Sequence, residues 1–201
     1  MSLLSYIGLI GGACSLAGYA PYAKAVIRGE TAPERASWLI WTLSNCLVVL
    51  SYWQIGGRTT VWVPLAYVIG SALITVLAFI YGKEGWGVLE KLALIVAIIS
   101  SIRWVFFDQP LIALGLTMAI GLISYIPSAI KLARDKERHK GAELEGWTLF
   151  FMGSIFNLIA VDQWTPIIAT LPVAFFILNG TMFALHFRNS LIEDRAQPPI
   201  S

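Results

Sequence analysis

Asn45, Asn157 and Asn179 each stand inside a long apolar run, and two triplets, Tyr19-Ala20-Pro21 and Tyr125-Ile126-Pro127, recur about a hundred residues apart. A carboxamide carries two donors and an acceptor without a charge, and within hydrocarbon it must find partners on another helix or on a polar solute. Polar side chains at that depth usually face a bundle interior or a cavity. Hydroxyls at Ser44, Ser71, Thr75, Ser154 and Thr181 extend the polar set, and rings at Trp41, Tyr67, Phe150 and Phe151 supply faces on which sugars and planar solutes stack. From these, Trp41, Ser44, Asn45, Tyr67, Ser71, Phe151, Ser154, Asn157 and Asn179 form the candidate substrate-binding set. Its chemistry is reversible capture of a neutral polar molecule. The competing reading of each amide or hydroxyl is a hydrogen bond that holds helices together.

The prolines suggest movement. Pro21 and Pro127 fall within helical patterns, where each removes a backbone hydrogen bond and crowds the preceding turn. At matching positions they read as a pair of hinges, with Tyr19 and Tyr125 as plugs of a gate; a static bend is the alternative. Pro64 and Pro166 open their runs as first-turn prolines, and Pro172 marks a further kink.

Other chemistries lack their residues. Glu90, Asp108 and Asp162 fall near the ends of runs, His139 in a loop and His186 near an end, so no proton relay is expected. Neither paired intramembrane carboxylates nor a His-Glu-x-x-His helix occurs, so no enzyme, metal or cofactor is expected. The mixed-sign run from Lys131 to Lys140 reads as a solvated loop, and the net charge of +2 gives no case for nucleic acid. Cys14 and Cys46 are expected as free thiols.

The elements that must place these residues are membrane helices. Hydrophobic residues make up 57% of the 201 and charged ones 13%, with mean hydropathy +0.73, which only a lipid-facing chain accommodates. Seven segments read as spans: Leu3 to Val26, Trp38 to Ile55, Val61 to Tyr81, Leu89 to Phe107, Leu111 to Leu132, Trp147 to Val161 and Pro166 to Phe187. With seven spans, twelve of the fourteen Lys and Arg fall on one side, leaving Arg58 and Arg103 on the other. The positive-inside rule then puts the N-terminus outside and the C-terminus in the cytoplasm. The tryptophans near span ends, such as Trp53, Trp86 and Trp104, suit interfacial belts.

The landmarks repeat in order. Tyr19-x-Pro21, Trp38 and Trp62-x-Pro64 match Tyr125-x-Pro127, Trp147 and Trp164-x-Pro166 at offsets of 106, 109 and 102 residues. Two triplets separated by one span have the same orientation. The expected fold is therefore all-α, with seven transmembrane helices as two parallel triple-helix bundles joined by a linker helix (3+1+3). Residues 1–82 form the first bundle, 83–109 the linker, 110–188 the second bundle and 189–201 a cytoplasmic tail.

Tyr19-Ala-Pro21-Tyr-Ala-Lys24 and Tyr125-Ile-Pro127-Ser-Ala-Ile-Lys131, each followed by a helix carrying Trp41-Thr-Leu-Ser44-Asn45 or Phe150-Phe-Met-Gly153-Ser154, resemble the proline motif and second helix of the PQ-loop and SWEET transporter superfamily. The glutamine that follows the motif proline there is Tyr22 and Ser128 here, and Ile69-Gly70 and Leu171-Pro172 stand where sugar carriers place an asparagine. The resemblance implies a facilitator working by alternating access on a small neutral solute. A sugar ranks ahead of an amino acid or nucleoside-like vitamin precursor, with a non-transporting receptor as the rival. Expected partners are that solute and the lipid bilayer, with a homo-oligomer left open, in a bacterial or archaeal plasma membrane.

Overall fold

The computed structural model describes residues 2–83, 87–88, 91–92, 95, 98–99, 102, 110–134 and 141–196. Trp86, Arg103, Trp104, Asp108, the loop 135–140 and the last five residues, all named above, lie outside the described residues, as does the Pro127 side chain. Every extended element among the described residues is helical: α1 (Leu3–Ala17), α2 (Ala20–Ile27), α3 (Arg35–Gln54), α4 (Trp62–Tyr81), α5 (Pro110–Arg134), α6 (Gly141–Ile159) and α7 (Pro166–Ala196). Among the described residues, four stretches are long and apolar enough to cross a membrane: Leu3–Ile27, Arg35–Gln54, Trp62–Tyr81 and Pro166–Ile192. Their outward faces, including Leu73, Val76, Phe79 and Ile80, are about half exposed, as suits an integral membrane protein.

Local chemistry sets the boundaries. Ser2 caps α1 by accepting from the Ser5 amide at 3.2 Å. Pro21 cannot donate to the Ala17 carbonyl, so regular helix stops at Ala17 and restarts at Ala20 with the proline in its first turn. The break therefore precedes the proline by one turn. Pro127, by contrast, lies within the unbroken α5. Helices α2 and α3 end alike, on left-handed glycines, Gly29 (φ 70°) and Gly56 (φ 102°). In each, the glycine amide and the next one donate back to helix carbonyls, Gly56 to Trp53 and Gly57 to Tyr52 in α3.

Contacts fix the directions. Thr42 meets Thr75 at 2.8 Å while Tyr52 meets Thr60, so α3 runs against α4. Gly8 packs on Trp62 and Tyr19 on Gly70, so α1 runs with α4. Asn179 meets Tyr125 and Asn189 meets Leu132, so α5 runs with α7. Trp147 stacks on His186 while Phe151 stacks on Phe183, so α6 runs against α7. Gly11 approaches Gly153 and Gly18 approaches Gly146, so α1 runs against α6.

A packing order repeats. Helix α4 packs against both α1 and α3, and α7 against both α5 and α6. The two triplets then meet along two seams, α1 on α6 and α3 on α5. Lys24, Arg28, Arg35 and Lys83 gather where α2 and α4 end and α3 begins, with Arg134 and Arg188 at the same end and Arg58 at the other. At this basic end residue 83 pairs with the backbone of residues 33–35 through two hydrogen bonds of 3.1 Å.

Candidate functional site

Between the triplets lies a cavity of about 110 Å³. For scale, an apolar cavity of roughly 150 Å³ takes up benzene. Helix α3 lines it with Trp41, Ser44, Asn45 and Val48, one face at helical spacing. Helix α4 adds Tyr67 alone. Thr117, Met118, Gly121, Leu122 and Tyr125 come from α5, and Leu171, Ala174, Phe175, Leu178 and Asn179 from α7. Among the described residues, none that lines it is an acid, a base or a histidine.

The two asparagines are held differently. Asn45 donates through Nδ2 to the Tyr67 carbonyl at 3.3 Å and to Ser71 Oγ at 3.2 Å. Because that carbonyl can only accept, the amide orientation is fixed and Oδ1 is the atom left over. Asn179 donates through Nδ2 to the Tyr67 phenol at 2.9 Å and to the Phe150 carbonyl at 3.4 Å. Its Oδ1 accepts from the Tyr125 hydroxyl at 3.3 Å and lies 3.2 Å from the Tyr67 hydroxyl. One amide is saturated by the protein, while the other keeps a free acceptor.

Rings gather at the basic end of the cavity. Tyr67 stacks on Phe175 at 5.0 Å and 13° and tilts against Phe150 at 5.4 Å. Tyr19 stands edge-on to Phe150 at 5.0 Å and to Tyr67 at 6.0 Å, and Tyr125 edge-on to Trp147 at 5.8 Å. The tyrosines of the two repeated triplets thus enter one aromatic cluster. Tyr19 is 4% exposed and its hydroxyl has no hydrogen-bond partner.

A different device lies beyond Val48 and Leu171 of the lining. Pro172 lies inside α7 and leaves the Ile168 carbonyl without its usual amide donor. The Tyr52 hydroxyl, fully buried, crosses from α3 and donates to that oxygen at 2.9 Å. Its single proton is then used, so Thr60 donates to it in turn, at 2.6 Å. The turn after α3 folds over the ring so closely that a Cβ at Gly57 would overlap it. Val48, Leu114, Ile168 and Leu171 complete the apolar cluster around Tyr52.

The sequence-derived set divides. Trp41, Ser44, Asn45, Tyr67 and Asn179 come together at the cavity, with Tyr125, and Ser71 supports Asn45 from behind. Phe151, Ser154 and Asn157 do not line it. Phe151 stacks on Phe183 and tilts against Phe176 at 5.4 Å, and Ser154 donates to its own helix at the Phe151 carbonyl. Asn157 is fully buried beside Gly11 on the α1–α6 seam, with both polar atoms unpartnered. Thr75 bonds Thr42 and the Ser71 carbonyl, Thr181 bonds the Ile177 carbonyl, and both cysteines are free thiols. Composition gave no cue to Met118, Leu122, Leu171, Ala174 and Leu178. The cue available was helical spacing from Tyr125 and Asn179.

In comparisons with known proteins, no family model, no curated protein and no solved structure matches this chain.

Proposed function

We propose that the protein is a facilitative carrier for a small neutral polar solute, built as a 3+1+3 bundle of seven spans of the PQ-loop and SWEET type, and that it works by alternating access. The observation that carries this reading is the place of the cavity. It lies where two triplets with the same packing order meet, and both contribute neutral polar and aromatic groups to its wall. Carriers built from repeats bind substrate at such an interface.

The linker has a geometric argument. Helices α4 and α5 run the same way, so residues 82–109 must return the chain across the bundle, about 30 Å for a 20-residue helix such as α4. Described residues there, including Val88, Leu92, Ile95, Ile99 and Ile102, are helical and carry exposed apolar side chains. On this reading the bundles are 1–82 and 110–188, the linker is 83–109 and the tail 189–201. The charge bias orients the basic end to the cytoplasm. On this reading the carrier is uncoupled to protons and is not an enzyme, as suits a described cavity wall of amides, hydroxyls, rings and apolar groups.

Counterflow uptake into proteoliposomes tests it, with labelled sugars, neutral amino acids, nucleosides and small amides, with and without a pH gradient. The expected result is uptake of one class, indifferent to the gradient. Folded protein that moves none of them would overturn the reading.

A further inference from the structure

The two sides of the cavity differ in what they leave for a guest. On the α7 side the polar groups satisfy one another: the Asn179 amide, the Tyr67 phenol and the Tyr125 phenol form a closed set. Ser71 is likewise used up, donating to the Tyr67 carbonyl at 2.6 Å and accepting from Asn45. On the α3 side two atoms of consecutive residues stay unpartnered, Asn45 Oδ1 and Ser44 Oγ, the latter buried from solvent. Most of the remaining wall is apolar: Val48, Met118, Leu122, Leu171, Ala174 and Leu178.

We propose that the solute is a compact, uncharged hydrogen-bond donor: a small ring or short chain with one N–H or O–H end and few other polar groups, such as a lactam, a primary amide or an N–H heterocycle. Its donor meets Asn45 Oδ1, with Ser44 Oγ beside it, and its body lies along the α5 and α7 side chains. This rests on the carrier reading of the same site. The sequence ranked sugars first, and the free polar atoms now rank them behind a single donor. A monosaccharide would bring several hydroxyls to a largely apolar wall with few open polar atoms and leave most of them desolvated and unpaired. A zwitterion would bury two charges where no described lining residue carries a counter-charge. Size agrees: a cavity of about 110 Å³ is smaller than one that admits benzene.

Saturation-transfer NMR on the full chain in nanodiscs, with empty nanodiscs as blank, decides the matter with four probes. These are 2-pyrrolidone, its N-methyl derivative, proline and glucose, so that one ring appears as a neutral donor, a neutral non-donor and a zwitterion. The lactam should bind at least about tenfold more tightly than each of the others. Asn45→Leu should weaken it about tenfold, and so should Ser44→Ala to a smaller degree; the serine hydroxyl has no partner in the protein, so that variant keeps the fold. Equal or tighter binding of glucose, proline or the N-methyl lactam, or no binding of any probe, overturns the proposal. So does a lactam affinity unchanged in both variants. Glucose counterflow without lactam binding would leave the carrier standing and remove only this inference.

Discussion

The α1–α6 and α3–α5 seams occupy equivalent places between the triplets, yet one is shut and the other holds the cavity. Along α1–α6, a Cβ at Gly11 would come within 2.9 Å of the Gly153 carbonyl oxygen, and one at Gly18 within 3.0 Å of the Phe150 ring. At the repeat offsets, Gly11, Gly12 and Ser15 correspond to Thr117, Met118 and Gly121, and Phe150, Gly153, Ser154 and Asn157 to Trp41, Ser44, Asn45 and Val48. Side chains at Thr117 and Met118 stand where the first copy has none, and around Gly121 there is open space within 4 Å. The difference teaches that one architecture gives either a close helix contact or an open cavity, according to which copy carries the small residues. Backbones that touch leave no room for a guest.

The largest effect that could break this comparison is expected at the shut seam. Gly11→Val should cost about 3 kcal/mol, the upper end for overpacking, read as a fall in thermal unfolding temperature. Gly121→Val at the open seam should stay within about 0.5 kcal/mol of the parent yet abolish solute binding by filling the cavity. Equal stability losses at the two sites would show that the seams are packed alike. Next comes the latch beside the open seam. Tyr52→Phe strips the buried Ile168 carbonyl of its donor and should cost about 2 kcal/mol, measured by the same melt.

A smaller effect sharpens the contrast from the other side. Asn157→Val places at the shut seam the residue its counterpart Val48 already has, removes two unpartnered buried polar atoms, and should stabilise by about 1 kcal/mol. A destabilised variant would mean that the amide has a partner in another conformation of the protein. The smallest effect on binding is expected from Pro21→Ala with Pro127→Ala. The double variant should slow counterflow while leaving affinity within roughly tenfold, about 1.4 kcal/mol. Unchanged flux would remove the hinge role.

Much of this was legible in the sequence, and the misses share physical causes. Asn45 and Asn179 announced the cavity because an amide in hydrocarbon needs a partner, but Asn157 sends the same signal from a helix contact. Which one applies depends on Gly11 across the seam, and no local pattern around residue 157 records that. Helix α6 starts at Gly141, ahead of the apolar segment at Trp147, and α7 runs on to Ala196 past Phe187. Hydropathy reports where lipid stops, whereas a helix continues into water as long as its backbone bonds do; Glu143 and Glu145 do not end α6. The break near Pro21 appeared one turn early because a proline withholds its bond from the residue four positions back.

The Tyr52 contact ties a change on one helix to a change on another. Ile168, 116 residues away along the chain, lacks a donor because of Pro172 and has one because of Tyr52. Replacing Pro172 by alanine would return an amide to that carbonyl and make the phenol redundant, so the penalty of Tyr52→Phe should shrink in its presence. The two positions are therefore expected to change together or not at all over evolutionary time, and a double-mutant cycle between them reports how strongly one constrains the other.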